Sequence, residues 1–206
     1  MTAAAEKRSV PPVVHLTMGR PSSLRGEDTV EDCDLYELDG LGLSARRGLL
    51  IGTGADQIHL SENRDLLGRF VERGGVLVIC GQVVRPFLDG LPVFEPIDHH
   101  GPADLTVSRL AGHPVWEGVR AEDLTFRRGV AGFYGRGCYP RLPAGAVVIN
   151  GIGPERRPLD IVYRYGRGEV LVHGGNDLWG YRDDPNTSAR LAPQLLDWVT
   201  DREGPA

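Results

Sequence analysis

The feature that most constrains the fold is a pair of short apolar runs on either side of an amphipathic segment. The two runs are G-L-L-I-G (48–52) and V-L-V-I-C (76–80). The segment between them, S-E-N-R-D-L-L-G-R-F-V-E-R-G-G (61–75), repeats its apolar residues at helical spacing. Continuous apolar runs are typical of strands buried on both faces, so the pattern predicts two parallel strands joined by a crossover helix. Ser61 is the predicted N-cap of this helix and Gly74 its C-terminal stop.

The other elements extend this unit into an α/β domain with a mostly parallel sheet and helices on both faces. A late β-hairpin with a Gly-Arg-Gly turn is predicted near one edge of the sheet. The final helix should turn Leu191, Leu195, Trp198 and Val199 inward, with Pro193 near its first turn. The predicted ranges are a first strand in 11–18, a loop over 21–34, strands over 35–38 and 146–150, hairpin strands over 160–165 and 169–173, and the last helix over 188–200.

Length and composition predict one ordinary globular domain. The chain has 206 residues, 41% of them hydrophobic and 25% charged, which is enough to build a sizeable core. We predict a disordered lead over residues 1–10, a single domain over 11–200 and a flexible tail over 201–206.

The charge balance and the cysteines restrict the class of partner and the compartment. A net charge of −5 argues against a nucleic-acid partner, and no apolar run approaches the length needed to span a membrane. The three cysteines, Cys33, Cys80 and Cys138, are far apart and odd in number. A disulfide framework or a structural zinc site is therefore not expected, and a reducing cytoplasm is the predicted location.

Three loops that follow predicted strands carry the candidate site, because ligands of open α/β sheets bind beyond the carboxyl ends of the strands. These loops read G-T-G-A-D-Q (52–57), C-G-Q (80–82) and H-G-G-N-D-L-W (173–179). The first lacks the third glycine of a dinucleotide fingerprint, but its backbone N–H groups are candidates to bind an oxyanion.

Each reactive side chain in these loops has two interpretations. Cys80 is either a buried structural thiol, as free cysteines often are, or a nucleophile bared by the turn at Gly81. His173 is either a hydrogen-bonded core residue or a base oriented by Asp177. Trp179 is either a pocket wall or simple core.

These loops, in this order, resemble the class I glutamine amidotransferase-like superfamily, including its ThuA-like members. The matching segments are G-L-L-I-G-T-G-A for the glycine loop, G-G-V-L-V-I-C-G-Q for the nucleophile elbow and Y-G-R-G-E-V-L-V-H-G-G-N-D for the late hairpin. H-P-V-W-E-G-V (113–119) is similar to a stretch common in ThuA-like domains. The resemblance spans nearly the whole chain and implies a flavodoxin-like three-layer α/β sandwich.

The resemblance also implies roles for named residues. Cys80 would attack a carbonyl, with His173 as base and Asp177 orienting the ring. Backbone N–H groups of Gly81 and of the Thr53–Gly54 loop would stabilise the oxyanion. Gln82, Asn176 and Trp179 complete the predicted binding residues of these loops.

Two departures from the family pattern bear on the activity. The family elbow reads Gly-x-Cys-x-Gly, whereas this chain has Val78 and Gln82 at the flanking positions. The late motif His-x-Glu has Gly175 in place of the acid. We therefore expect a non-canonical Cys/His hydrolase or acyl-transfer enzyme acting on a small polar substrate, or an inactive relative that binds a small ligand or a partner subunit. Ordinary glutaminase activity is not expected.

Two further motifs contain candidate binding residues. F-R-R-G-V-A-G-F-Y-G-R-G (126–137), in which Arg127, Arg128 and Arg136 alternate with glycines and aromatic residues, is either a clamp for a carboxylate or phosphate or an ordinary surface loop. The D-H-H run at 98–100 is expected to be a solvated loop rather than a metal site. No metal or cofactor is predicted, and a homo-oligomer or a synthase partner subunit stays open.

Overall fold

The computed structural model describes residues 10–19, 23–24 and 26–201. Its strands are β1 Val13–Thr17, β2 Val30–Asp34, β3 Gly48–Ile51, β4 Val76–Cys80, β5 Glu95–Pro96, β6 Val107–Arg109, β7 Phe126–Arg127, β8 Val130–Ala131, β9 Gly137–Cys138, β10 Val147–Ile152, β11 Arg157–Tyr165 and β12 Gly168–His173. Its α-helices are α1 Gln57–Glu62, α2 Arg64–Glu72, α3 Ala121–Thr125 and α4 Leu191–Thr200. Short 3₁₀ segments lie at Leu35–Gly40, Leu43–Ala45, Pro102–Leu105, Pro114–Trp116, Leu178–Tyr181 and Thr187–Arg190.

One eight-stranded sheet carries the fold, in the order β2-β1-β3-β4-β12-β11-β10-β6. Four of its seven pairings are parallel and three are antiparallel, so the α/β fold with a mostly parallel sheet is as predicted. The predicted crossover is confirmed, since β3 and β4 are parallel neighbours. The hairpin of β11 and β12 is confirmed as well, but its position near an edge was wrong. The strand β12 pairs with β4 in the sheet interior, because β10 and β6 extend the sheet beyond β11.

Helices cover both faces of the sheet, and each face has its own apolar core. The amphipathic helix α2 packs Leu67, Phe70 and Val71 onto one face. The final helix α4 packs Leu191, Leu195 and Trp198 onto the other face. Successive strand residues point to opposite faces, so β4 sends Leu77 and Ile79 into the first core and Val76, Val78 and Cys80 into the second. We call the face that carries Cys80 the α4 face.

The prediction of the second strand was wrong. The polar stretch V-E-D-C-D (30–34), predicted as part of a loop, forms the edge strand β2. The predicted strand over 35–38 is instead a 3₁₀ segment in which Leu35 and Leu38 are buried three residues apart. An edge strand has one neighbour and one exposed side, so backbone pairing with β1 fixes it without an apolar pattern.

The start of the crossover helix was also predicted wrongly, whereas its end is confirmed. Asp56, not Ser61, is the N-cap, and its carboxylate accepts hydrogen bonds from the N–H groups of Ile58 and His59. Ser61 lies inside α1, and a break at Asn63 separates α1 from α2. Gly74 has a φ of 111°, the left-handed conformation that ends a helix at glycine.

Part of the predicted domain organisation lies outside the described residues. This applies to nearly all of the predicted lead (residues 1–9), to most of the predicted tail (202–206) and to residues 20–22 and 25. The last helix begins at Leu191, after a 3₁₀ turn, with Pro193 in its first turn as predicted. None of the helices in the described part of the chain is long and apolar enough to cross a membrane.

Candidate functional site

A row of polar side chains runs across the sheet near the carboxyl end of β4. Cys80 on β4 pairs with His173 on β12, and His173 pairs with Asp160 on β11. Asp160 pairs in turn with Asn150 on β10, and Asn150 with Arg109 on β6. Partners in register point to the same face of a sheet, so the row lies on the α4 face with Cys80.

Asp160 is the residue that holds the imidazole of His173. The Nδ1 atom of His173 donates to Oδ1 of Asp160, and both residues are 0% exposed. Asp160 Oδ2 also accepts from the hydroxyl of Tyr134 at 2.8 Å and from the amide of Asn150 at 2.5 Å. With three donors on one carboxylate, the proton of His173 is placed on Nδ1 and Nε2 is left as an acceptor.

The second nitrogen of His173 meets no partner. Nε2 is buried and forms no hydrogen bond with any described residue, and the thiol of Cys80, the register partner of His173, is no exception. Gly175 covers this nitrogen, because a Cβ at Gly175 would lie 2.8 Å from Nε2 and 1.7 Å from the carbonyl oxygen of Tyr134. A buried acceptor without a donor is uncommon.

The thiol of Cys80 faces the core rather than a cavity. Cys80 is 3% exposed. Burial raises the pKa of Cys80 well above its ordinary value, and the carboxylates of Asp177 and Asp160 raise it further, against a smaller lowering by the Leu178 N–H. The thiolate is the reactive form, so in this conformation Cys80 is protected in both access and charge.

The expectation that Asp177 orients His173 was wrong. Oδ1 of Asp177 accepts from the backbone N–H of Thr53 at 2.6 Å, and both carboxylate oxygens lie 3.2 Å from the Cβ position of Gly52. The carboxylate thus binds the end of β3, whereas β11 supplies the partner of His173 from within the adjacent strand.

Two of the expected oxyanion donors, the N–H groups of Gly81 and Thr53, are committed to other acceptors. The N–H of Gly81 donates to the carbonyl of His173 at 2.9 Å, and the N–H of Thr53 donates to Asp177. The positive φ of 101° at Gly81 confirms that the chain turns sharply there, but the turn brings the N–H back onto the sheet. A Cβ at Gly81 would lie 3.0 Å from the Cα of Thr53, so the glycine allows the two loops to approach closely.

The three predicted loops converge on an open cavity of about 530 Å³, the central cavity. Of the predicted residues, it brings together Thr53, Gly54, Gly81, Gln82 and Asn176. Cys80 and His173 do not line it. The remaining lining residues are Gln57, Val84, Gly132, Phe133, Gly135, Arg136, Gly174 and Gly175.

A second open cavity of about 540 Å³ lies across the Thr53–Gly54 loop, and we call it the β1 cavity. Asp177 and Trp179 line it, as do His15 and Thr17 from β1. Trp179 is 2% exposed and its ring meets the ring of His15 edge-on at 5.0 Å between centroids. Trp179 is therefore both a core residue and a wall of the cavity. The other lining residues are Leu16, Met18, Ser23, Gly52, Thr53, Gly54, Ala55 and Gly180.

Of the three arginines predicted for a clamp in the 126–137 loop, the central cavity is lined by Arg136 and not by Arg127 or Arg128. Arg127 is bound internally, since its guanidinium pairs with Asp184 at 2.8 Å and lies 4.4 Å from the ring centre of Tyr181. Arg128, with a φ of 53°, sits exposed in the turn between β7 and β8 and lines neither cavity. Arg136 lines the central cavity and, among the described residues, has no carboxylate partner.

The two remaining histidine motifs have local roles. His99 and His100 are exposed, and the N–H of His100 donates to Asp104 at 2.8 Å. His113 caps the 3₁₀ turn that follows it, since its Nδ1 accepts from the N–H of Val115.

Sequence reasoning missed two residues of this region, namely Asp160 and His15. Asp160 and His15 had a usable signal, because each is a polar residue inside an apolar strand, in L-D-I-V and V-V-H-L. Such residues are buried only with a partner. Which of the three arginines in the 126–137 loop faces the cavity had no such signal, because only the folded backbone distinguishes them.

Comparison with known proteins supports the fold and adds no activity. No family model matches the chain, and no curated protein matches it. Among solved structures, a cytoplasmic protein from Salmonella typhimurium is 15% identical with a TM-score of 0.54, over 82% of this chain and 80% of that one. A second cytoplasmic protein from the same organism is 15% identical with a TM-score of 0.49, over 85% and 78%. A β-galactosidase from Rahnella sp. R3 is 14% identical with a TM-score of 0.48, over 92% of this chain but 31% of that one. At these identities the first likeness bears on the fold alone.

Proposed function

We propose that this protein is a cytoplasmic, amidotransferase-like domain of the flavodoxin-like type that binds a small anionic ligand in its central cavity. The observation that carries the proposal is the arrangement of the three strand-end loops with Arg136. Their backbones line an open cavity of about 530 Å³, and Arg136 is a charged side chain there without a carboxylate partner among the described residues. The would-be nucleophile lies outside that lining.

The charge and donors of the cavity favour a carboxylate or phosphate group. The stem of Arg136 is held near Gly132, whose carbonyl accepts from Nε at 3.2 Å. This leaves the two terminal nitrogens of the guanidinium, whose fork suits a carboxylate or phosphate. The side chains of Gln82 and Asn176 are exposed at the same cavity and add amide groups that bind oxygen-rich ligands.

Gln57 pre-organises part of the wall of the central cavity. Its side-chain amide donates to the carbonyl of Gln82 at 2.7 Å and accepts from the N–H groups of Val84 and Arg85 at 2.9 and 2.8 Å. Three hydrogen bonds from one side chain fix the loop after β4 before any ligand arrives. Binding to a fixed loop loses less conformational entropy than binding to a mobile one.

Titration calorimetry with citrate and inorganic phosphate tests this proposal. We expect saturable binding of at least one probe, weakened by about tenfold in Arg136→Gln, because a hydrogen bond to a charged group contributes about 1.5–3 kcal/mol. The matched control is Arg128→Gln, which removes the same charge from the same loop outside the cavity. Equal affinities in the two variants, or no binding of either probe to the wild type, would contradict the proposal.

A second candidate function is a Cys/His hydrolase, and the register of the sheet favours it. Cys80 and His173 are direct partners in register, with Asp160 behind the imidazole. Such chemistry would need a conformation in which the thiol leaves Leu178 and donates to Nε2 of His173. Alkylation of Cys80 at neutral pH faster than that of an unfolded-peptide thiol would favour this candidate over ligand binding alone.

A further inference from the structure

The β1 cavity contains a second His–Asp pair that is independent of the central cavity. His15 on β1 and Asp32 on β2 are partners in register, and Nδ1 of His15 lies 2.9 Å from Oδ1 of Asp32. The side chain of His15 is 8% exposed and that of Asp32 30%. The carboxylate of Asp32 accepts a hydrogen bond from the N–H at Nδ1 of His15, so Nε2 of the neutral ring is left as an acceptor. This Nε2 has no hydrogen-bond partner among the described residues.

A carboxylate without a cation lies at the same cavity. One oxygen of Asp177 accepts from the N–H of Thr53, and no described Lys, Arg or His forms an ion pair with this residue. Gly52 lies directly under the carboxylate, because its Cβ position is 3.2 Å from both oxygens. A side chain at position 52 would displace the carboxylate of Asp177. The glycine therefore leaves room for a negative charge at the cavity wall.

The third acceptor is the hydroxyl of Thr17. It donates its own proton to the carbonyl of Cys33 at 3.3 Å, so towards the cavity it presents lone pairs. Thr17 and His15 are two residues apart on β1 and therefore point to the same face. Leu16 on β1 and Ile51 on β3 are partners in register. The residues that follow them, Thr17 and Gly52, are therefore neighbours across the two strands. Neighbouring strands are about 4.8 Å apart, so the Asp177 carboxylate over Gly52 lies next to Thr17.

We infer that the β1 cavity binds the ammonium group of a small organic amine. An ammonium has three N–H donors and one positive charge. The cavity offers three acceptors, and one of them is a carboxylate that no cation neutralises. Asp177 supplies the charge and one acceptor, while His15 and Thr17 supply the two neutral acceptors. This site shares only the Thr53–Gly54 loop with the central cavity, and its ligand has the opposite charge.

A metal cation is the less suitable occupant. Among the described residues there is no group of three or more His, Cys, Asp or Glu side chains that could hold a metal ion. The hydroxyl and imidazole of Thr17 and His15 are weak ligands for hard cations but ordinary acceptors for an ammonium. The match in donor count thus favours an amine.

Titration of the isotopically labelled full chain with propylamine, followed by NMR, tests this inference. We expect saturable shifts of the Trp179 indole N–H and of the Thr17 and Asp177 amides. Tetramethylammonium has the same charge without N–H donors, and we expect it to bind about tenfold more weakly. Propanol, which has no charge, should give no saturable shift.

Two variants and one control make the test specific. Asp177→Asn keeps the acceptor for the Thr53 N–H but removes the charge, and we expect propylamine affinity to fall about tenfold. Thr17→Val removes one neutral acceptor at equal shape and should lower affinity about threefold. Asp183→Asn removes a carboxylate exposed outside the cavity and should change nothing. Equal binding of propylamine and tetramethylammonium, unchanged affinity in Asp177→Asn, or no saturable shift at all would each overturn the inference. Citrate binding to the central cavity is measured separately, so failure of either site leaves the other assessable.

Discussion

The two His–Asp pairs of the sheet lie on the same face, yet they differ in what surrounds them. His173 and Asp160 lie in the sheet interior and are 0% exposed. Gly175 lies over His173, and Asp160 accepts hydrogen bonds from Tyr134 and Asn150. His15 and Asp32 lie on the two outermost strands of the parallel half, and His15 opens onto a cavity. We call them the sealed pair and the open pair. A His–Asp pair is thus not made accessible to a ligand by its two residues alone. Its access depends here on how many strands flank it and on the loop that covers it.

The sealed region should protect Cys80 from alkylation, and this is the largest expected effect. Opening of a central strand requires free energy close to that of global unfolding, so iodoacetamide should modify Cys80 about a thousandfold more slowly than in urea-unfolded protein. Because burial raises the pKa of Cys80, any native-state rate should keep rising at a pH where a free thiol is already fully ionised. Mass spectrometry of quenched samples measures the rate, with the half-buried Cys33 as internal reference. A fast, selective reaction at Cys80 would show that the region around the sealed pair is accessible, which contradicts this distinction.

Removing each carboxylate should separate the pairs by stability. Asp160→Asn replaces one of the two buried acceptor oxygens, and its negative charge, with an N–H donor that faces Tyr134, Asn150 or His173. We expect a loss of about 3 kcal/mol in the free energy of unfolding. Asp32→Asn changes a partly exposed pair on an edge strand, and we expect a loss below about 1 kcal/mol. Urea denaturation of the two variants measures both values. Similar losses would show that the sealed and open environments are energetically equivalent.

The sealed region should also give the protein an alkaline limit. Burial raises the pKa of Tyr134 well above its ordinary value, with further contributions from Asp160. Folded Tyr134 therefore keeps its proton at a pH where the unfolded chain releases it. The resulting stability is fully present below about pH 10 and is lost as the pH rises towards the folded pKa.

Tyr134→Phe isolates this smaller effect. The variant loses the hydrogen bond to Asp160 and the acceptor of the Trp116 N–H, so at pH 7 it should be about 1–2 kcal/mol less stable. The difference from the wild type should narrow above pH 10, because one titrating hydroxyl is gone. Tyr163→Phe is the control at pH 7, since the buried hydroxyl of Tyr163 has no hydrogen-bond partner in the described part of the chain and its removal should not lower the free energy of unfolding. A difference between Tyr134→Phe and the wild type that is constant from pH 7 to 11 would contradict this account.

The sequence predicted those parts of the molecule that depend on local apolar patterns. The strands β3 and β4, the crossover helix and the final helix are each defined by residues close together in the chain. The edge strand β2 was missed because its polar residues are fixed by pairing with β1, not by burial. The partner of His173 was missed because Asp160 contacts it from the adjacent strand β11, whereas the prediction took the carboxylate nearest in the chain, Asp177.

The same reasoning explains what could be predicted of the site. The three predicted loops do lie at the carboxyl edge of the sheet, because the parallel strands β3, β4 and β12 end there, and five of their predicted residues line one cavity. Which N–H groups stay free could not be predicted, because Gly81 and Thr53 donate to acceptors set by the packing of distant loops. The choice of Arg136 over Arg127 depends in the same way on Asp184, far along the chain.

Amide shift mapping with citrate tests the central claim, that the open loops bind a ligand while the sealed pair stays buried. In the labelled full chain, the account predicts saturable shifts at the amides of Gly54, Gln82 and Gly175, with unchanged hydrogen-exchange protection at His173. Shifts confined to residues outside the central cavity, or loss of protection at His173 on binding, would contradict it.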